Sequence, residues 1–211
     1  MMKADCKRKM IISALTQTSP GRFTVELDGG EKLISTLNTV TDMRLYVGKE
    51  LDDNAFEELK RSSSRAVARD RALTMLSRRQ FSRKELTDKL LRKGEDEQNA
   101  EYCVDWLEEN GFLNDAEYSA AIVRHYSAKG YGAGRIRGEL AKRGIARELW
   151  DAALEDLGES SEKLDAYISR RLTDPEDRAE IRRISSALLR RGYSWDEIRS
   201  ALRRSKAETE E

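Results

Sequence analysis

The chain has 211 residues, of which 37% are charged and 38% are hydrophobic. This low apolar content is typical of thin helical proteins with a large surface, and it argues against a compact enzyme with one large core. No apolar run approaches the roughly 20 residues that a membrane helix needs, and no signal peptide is visible at the N-terminus. A cytoplasmic protein that does not enter the membrane is therefore expected.

The net charge of zero conceals alternating blocks of charge. Residues 61–93 hold 11 basic and 3 acidic side chains, whereas residues 94–119 hold 9 acidic and no basic ones. Residues 124–147 are again mostly basic, 148–165 mostly acidic and 166–206 mostly basic. This alternation predicts that each structural unit has a basic part and an acidic part.

The first 47 residues have the character of β-strands. Apolar and polar residues alternate over Phe23–Leu27, residues 28–30 form a tight-turn signal, and residues 31–35 can return as a second strand. Residues 10–15 can form a further strand before the turn at Pro20. Because a two-stranded hairpin is marginally stable alone, this β-hairpin element is expected to pack on the first helices.

Helix signals dominate from residue 52 onward. Asp52 or Asp53 can cap a short helix that runs through Phe56 and Leu59. The serines at residues 62–64 are then either a joint or the start of the next helix.

One cassette recurs three times: an aliphatic residue, a leucine four positions later, and a glycine four positions after that. The copies are Leu86-Leu90-Gly94, Ile136-Leu140-Gly144 and Ile184-Leu188-Gly192. Such a fixed period marks a repeat architecture, in which the aliphatic pair forms the buried stripe of a helix. Each glycine is predicted to end its helix in the left-handed conformation, and the three are expected to respond alike to substitution.

Further signals place two more helices around each cassette helix. Capping boxes at residues 82–85 and 194–197 predict helix starts, and a closing helix follows each glycine. Each closing helix is predicted to bury an apolar pair spaced four residues apart. The pair is Ile198 with Leu202 in copy three and Trp150 with Leu154 in copy two. In copy one, allowing for about two extra residues, it is Tyr102 with Trp106. Each unit therefore has a lead, a cassette and a closing helix.

The predicted fold is mainly α, with elongated tandem three-helix repeats and a small N-terminal β-hairpin element; the handedness of the curvature is left open. The predicted domains are residues 1–60 (hairpin and short helix), 61–113, 114–158 and 159–206 (repeats 1 to 3), and an acidic tail at 207–211.

Residue types that support catalysis are present without the context they need. His125 has no recognisable nucleophile or orienting partner, and Cys6 and Cys103 form neither a disulfide framework nor a zinc pattern. Cys103 is expected to be a small core residue. The glycines at residues 130–134 lack the phosphate-loop pattern. We therefore expect no enzyme activity, no catalytic residue, no metal and no cofactor.

The cassette helices carry a recurrent set of basic side chains. A single charge run is usually a solvated face, but three recurrences favour a surface that binds a polyanion or an acidic partner. The candidate partner-binding residues are Arg83, Lys84, Lys89, Arg92, Lys93, Arg135, Arg137, Lys142, Arg143, Arg182, Arg183, Arg190 and Arg191.

The central part of the chain resembles a known family. The segment Asn110-Gly111-Phe112-Leu113-Asn114-Asp115, then Tyr118, Gly130-Tyr131-Gly132 and residues 135–145 (RIRGELAKRGI) are similar to the central signature of the RecX regulatory proteins. Residues 72–94 resemble the first repeat of that family, and the likeness extends over residues 62–204. Pro175 interrupts the lead segment of copy three, whose register is left open.

The resemblance implies tandem repeats that modulate RecA, mainly by inhibition, through insertion into the groove of the RecA filament on single-stranded DNA. It implies a regulator that acts in DNA repair, recombination and the SOS response. The repeat pattern itself predicts a folded monomer. The alternative is a direct DNA-binding module of the helix-turn-helix type, with single-stranded or double-stranded DNA as partner. The acidic closing helices disfavour this alternative, because they would repel a duplex wrapped by several units.

Overall fold

A computed structural model describes residues 9–155 and 160–209. The predictions for Cys6, for the boundary between residues 158 and 159 and for the last two residues of the acidic tail fall outside the described residues. The chain divides into two compact units: residues up to 79 with 86–112, and residues 80–85 with 113 onward.

The first unit begins with an antiparallel sheet of strand order β3-β2-β1-β4. The strands are β1 (Met10–Ser19), β2 (Arg22–Leu27), β3 (Lys32–Thr36) and β4 (Glu50–Leu51). The predicted hairpin of β2 and β3 is present, and so is the further strand predicted at residues 10–15, which extends to Ser19 as β1. The sequence did not predict β4, because this short strand lies 14 residues beyond β3 and has no alternating pattern to reveal it.

Two helices pack against this sheet: α1 (Leu37–Asp42) and α2 (Asp53–Leu76). Asp52 caps α2 as predicted, with its Oδ1 accepting from the amide of Ala55 at 2.8 Å. The predicted short helix and serine joint are wrong, because α2 runs without a break across the expected boundary at residue 60. Leu59, Ser63 and Ala66 continue one buried face of α2, so the serines do not interrupt it.

The first cassette helix and its closing helix are α3 (Arg83–Arg92) and α4 (Glu97–Glu109). The predicted capping box is confirmed at the start of α3: the amide of Glu85 donates to Ser82 Oγ at 3.0 Å, and the amide of Ser82 donates to Glu85 Oε2 at 3.2 Å. Cys103 lies buried in α4, as expected, and this burial raises the pKa of its thiol to about 11.

The predicted apolar pair of α4 is wrong. Tyr102 is exposed and Trp106 is half-buried, and both rings lie against arginines of α2: the guanidinium of Arg65 is 3.9 Å from the Tyr102 ring centre, and that of Arg69 is 5.0 Å from the Trp106 ring centre. The buried residues of α4 are Ala100, Cys103, Val104 and Leu107. Ala100, Trp150 and Ile198 each stand six residues after their cassette glycine, so the first copy needs no extra residues.

The second unit contains two three-helix groups, which confirms the predicted repeat pattern. The first group has α5 (Asp115–Ala128), α6 (Ala133–Lys142), a 3₁₀ turn (Arg147–Leu149) and α7 (Trp150–Glu155). The second has α8 (Ser160–Ser169), α9 (Arg178–Arg190) and α10 (Trp195–Thr209). Each group encloses its own core, built on the cassette pairs Ile136 with Leu140 and Ile184 with Leu188.

Pro175 lies in the connection between α8 and α9 and interrupts neither helix. Across the described residues, no helix has both the length and the apolar character needed to cross a bilayer.

Candidate functional site

The basic cassette residues differ in their exposure to solvent. The half-buried ones are Arg83, Lys89, Arg143 and Arg191. The exposed ones are Lys84, Arg92, Lys93, Arg135, Arg137, Lys142, Arg182, Arg183 and Arg190. The sequence pattern therefore grouped side chains that have two different environments.

Arg143 belongs to a polar cluster at the end of α6 and does not lie on the free solvent side of that helix. Its Nη1 donates to Glu139 Oε2 at 2.6 Å and to the backbone carbonyl of Glu139 at 3.0 Å. Its guanidinium also lies 5.9 Å from the ring centre of Tyr126. The Glu139 side chain is only 9% exposed and pairs with Arg135 Nη2 at 3.1 Å as well.

The hydrogen bond from Arg143 holds the pKa of Glu139 below its ordinary value, against the opposing effect of burial. Glu139 is therefore ionised at neutral pH, and Arg143 compensates its charge inside the domain. A charge used in this way is not free for a partner.

Arg191 is also engaged within the second unit. Its guanidinium lies 4.9 Å from the ring centre of Tyr167 and 5.8 Å from that of Tyr131, and its Nη1 donates to the carbonyl of Gly130 at 3.3 Å. Stacking on aromatic rings and donation to a main-chain carbonyl are structural uses of an arginine.

The ends of the cassette helices contact one another in a repeated way. The hydroxyl of Ser82, before α3, donates to the carbonyl of Arg143, after α6. At the equivalent place 50 residues later, the amide of Gly132 donates to the carbonyl of Arg191 at 2.9 Å, and the amide of Gly134 donates to the carbonyl of Gly192 at 2.9 Å. The beginning of one cassette helix thus satisfies acceptors at the end of the next.

The three cassette glycines share the predicted backbone conformation, with φ values of +90° for Gly94, +68° for Gly144 and +91° for Gly192. Their surroundings differ. A methyl group on Gly144 would meet the Lys84 side chain at 2.4 Å, and one on Gly192 would meet the backbone nitrogen of Arg135 at 2.2 Å. A methyl group on Gly94 would meet nothing within 4 Å among the described residues.

The exposed cations divide into those that pair with a carboxylate of this chain and those that do not. Arg135 pairs with Glu139, and Arg183 approaches Glu180 at 3.5 Å. Within the part of the chain that the structure describes, no hydrogen bond or ion pair engages the side chains of Lys93, Arg137, Lys142 and Arg190. Lys93 directly follows α3 in the first unit, whereas Arg137 and Lys142 lie on α6 and Arg190 lies on α9 in the second unit. We take these four side chains as the candidate partner-binding residues.

The sequence did not reveal the exposure of the aromatic residues Tyr46, Phe112 and Trp195. Trp195 is 55% exposed on the first turn of α10, one turn before the exposed Arg199. The sequence signal for the exposure of Trp195 was its position inside the capping box of residues 194–197, three residues before the buried Ile198.

Comparison with known proteins gives three matches to family models. The model of the RecX first three-helix domain matches residues 68–107, that of the second domain matches residues 114–154, and that of the third matches residues 169–202. The matched segments each include one cassette helix.

Curated relatives and solved structures agree with these matches. The chain is 39% identical over 136 residues to Regulatory protein RecX of Xanthomonas axonopodis pv. citri (strain 306), covering 63% of this chain and 84% of the relative. It is 40% identical over 138 residues to Regulatory protein RecX of Pseudomonas putida (strain W619), covering 63% and 86%. A crystal structure of regulatory protein RecX has a TM-score of 0.71 and 25% identity, covering 89% of this chain and 96% of that one. RecX from Lactobacillus salivarius has a similar fold, with a TM-score of 0.63, 24% identity and coverage of 68% and 97%.

Proposed function

Because the chain belongs to the RecX family, we propose that it regulates RecA by binding the RecA filament on single-stranded DNA, mainly as an inhibitor. The observation that supports this proposal most directly is that each of the three cassette helices carries, on the helix or directly after it, an exposed cation without an internal partner among the described residues: Lys93 after α3, Arg137 with Lys142 on α6, and Arg190 on α9. We further propose that the protein acts in the cytoplasm, in DNA repair, recombination and the SOS response, without catalysis of its own.

The distribution of charge favours a filament over bare DNA. Basic cassette helices alternate with the acidic closing helices α4 and α7 along the chain. A nucleoprotein filament presents both phosphates and protein side chains of either sign, so both kinds of helix can find opposite charges. Attraction of this kind is screened by salt, with a Debye length of about 8 Å at physiological ionic strength.

The test reverses only the free charges. The double variant Arg137→Glu with Lys142→Glu leaves the Glu139 cluster intact and should keep the parent's helicity. It is expected to lose most of the inhibition of RecA ATPase on single-stranded DNA, because attraction becomes repulsion. Parental inhibition should also weaken as salt rises, at concentrations where the filament itself survives.

A matched control carries the same change in charge on the lead helix of the same domain. Arg124 and Lys129 are exposed at the end of α5, and reversing both should leave inhibition near the parental level. If the double variant of α6 inhibits as well as the parent, the basic face of α6 is only a solvated surface.

A second candidate function is direct binding of DNA, and Trp195 is the observation that favours it. An exposed aromatic ring one turn from an exposed arginine can stack on a base while the arginine contacts a phosphate. Titration of the protein against single-stranded DNA alone, and then against assembled filament, separates the two functions. Equal affinity for both, lost in Trp195→Ala, would support the DNA-binding function instead.

A further inference from the structure

Strand β1 has an open edge along most of its length. Its pairing with β4 covers only Met10 and Ile11, and Ile12 adds two backbone hydrogen bonds to the neighbouring loop: its amide donates to Lys49 at 3.1 Å, and its carbonyl accepts from Gly48 at 2.8 Å. Within the described residues, no strand lies beside residues 13–19 on this side. The open edge is thus seven residues long, or about 24 Å.

This edge lacks two of the usual protections against pairing, namely charged side chains and proline. Natural edge strands are commonly protected by charged side chains, by proline or by bulges. Residues 10–19 (MIISALTQTS) contain no charged residue and no proline, although 37% of the chain is charged. The register between β1 and β2 shifts near each end of the open edge, but the four residues from Ala14 to Gln17 pair one by one with β2.

Exposed apolar side chains lie where the open edge begins. Tyr46 and Val47 are 62% and 59% exposed, and they directly precede Gly48, the last residue that bonds to β1. A strand added along residues 13–19 would end beside these two side chains and cover part of them.

We propose that β1 pairs antiparallel with β1 of a second copy of this chain. The midpoint of the open edge is Thr16, so full use of the edge places Thr16 opposite its own counterpart and Ser13 opposite Ser19 of the other copy. The turn at Pro20 of each copy then reaches Val47 of the other. The two four-stranded sheets become one continuous sheet across a two-fold axis.

The absence of charge on this edge favours a second copy of the chain as its pairing partner. A two-fold axis brings each residue near itself or its symmetry mate, so a charged edge would repel its own copy, whereas this edge is neutral. The cations just beyond its ends are already compensated: Lys9 pairs with Glu50 at 2.6 Å, and Arg22 pairs with Asp70 at 3.0 Å. Because one strand pair buries less than a standard protein interface, the dimer should be weak and depend on concentration, in contrast to the monomer expected from the sequence.

The test is sedimentation velocity of the full chain over a concentration series that reaches the high micromolar range. Thr16→Lys places two lysines directly opposite each other across the axis, with their Cβ atoms about 5 Å apart. Repulsion between the like charges should weaken dimerisation tenfold or more. The control Thr24→Lys makes the same change on the adjacent strand, where Thr24 is the direct neighbour of Thr16. The two Thr24 positions would be about 14 Å apart, three strand spacings, so dimerisation should change less than twofold.

A mixture of Thr16→Lys and Thr16→Glu variants provides the decisive comparison. Opposite charges then face each other, and association should return to at least the parental level. A parent that is monomeric over the whole range overturns the proposal. Equal loss in Thr24→Lys, or failure of the mixed variants to associate, overturns the pairing through Thr16.

Discussion

The glycines that end the cassette helices allow a direct test of how the helix ends contact each other. Gly94 and Gly192 have almost the same backbone conformation, with φ of +90° and +91°. Substitution by alanine imposes the same conformational strain on both, about 1–2 kcal/mol for an L-residue in the left-handed region. Any difference between the two variants therefore measures the surroundings and not the turn.

The surroundings predict a large difference. The new methyl group at Gly192 would lie 2.2 Å from the backbone nitrogen of Arg135 and 2.7 Å from its Cβ, neither of which can move without displacing α6. Overpacking of this kind costs about 1–3 kcal/mol. We expect Gly94→Ala to cost about 1–2 kcal/mol and Gly192→Ala about 2–5 kcal/mol, with Gly144→Ala in between, because its contact is with the side chain of Lys84.

Urea unfolding followed by circular dichroism gives the free energies, and amide hydrogen exchange gives the location. In Gly192→Ala, the amides of Gly132 and Gly134 should lose protection, because their acceptors are the carbonyls of Arg191 and Gly192. In Gly94→Ala they should stay protected. If Gly94→Ala and Gly192→Ala cost the same and leave these amides equally protected, the contact between helix ends does not contribute to stability.

Three further predictions concern the polar cluster of Arg143 and Glu139 and the buried thiol of Cys103. Arg143→Glu should lower the free energy of unfolding in urea by about 3 kcal/mol, because two carboxylates would then face each other at a partly buried site. Arg137→Glu should lower it by less than about 0.5 kcal/mol, and equal losses would contradict the distinction between structural and free cations. Glu139→Gln should lower the free energy of unfolding by about 2 kcal/mol at pH 7. Because folding lowers the pKa of Glu139 from 4.5, its ionised form stabilises the protein fully above pH 4.5 and loses this effect as the pH falls through the pKa of the folded state. The difference in stability between parent and variant should therefore disappear in melts at acid pH. In a Cys6→Ser variant, Cys103 of the folded protein should react with iodoacetamide at least about 100-fold more slowly than Cys103 of the protein unfolded in urea. The reason is that thiolate is the reacting form and burial raises the pKa of this thiol from 9.0 to about 11. Equal rates would show that the thiol is accessible in the folded protein.

Features set by local interactions were predictable from the sequence. The capping box of Ser82 with Glu85, the burial of the cassette pairs and the positive φ of the three glycines each depend on residues within one turn of a helix. The same physical rules apply at every copy, so repetition strengthened each prediction.

Features that depend on distant partners were not predictable. Tyr102 and Trp106 have the helical spacing of a core pair, but arginines of α2 lie against their rings. Residue spacing alone cannot distinguish a ring that an arginine covers from a ring that is buried in a core. The basic set was mixed for the same reason, because Tyr167, which the Arg191 guanidinium contacts, lies 24 residues away in another helix.

The contacts between the ends of the cassette helices form a series that begins at the end of α3 and stops at the start of α9. Each contact joins the donors of one cassette helix to the acceptors of the next, and the third helix, α9, ends the series because Asp177 caps it, with its Oδ1 accepting from the amides of Ala179 and Glu180 at 2.7 and 3.3 Å. At the other end, no described atom lies where a side chain on Gly94 would project. The donors differ, being a serine hydroxyl before α3 and glycine amides at the start of α6, but the acceptor in each contact is a carbonyl just after a cassette helix. If an internal repeat were duplicated or deleted in evolution, each helix start would still meet such an acceptor, whereas loss of the last repeat would leave the amides of Gly132 and Gly134 without acceptors. Variation in repeat number among proteins of this architecture is thus expected to occur in the middle of the chain, with the two terminal helix ends retained.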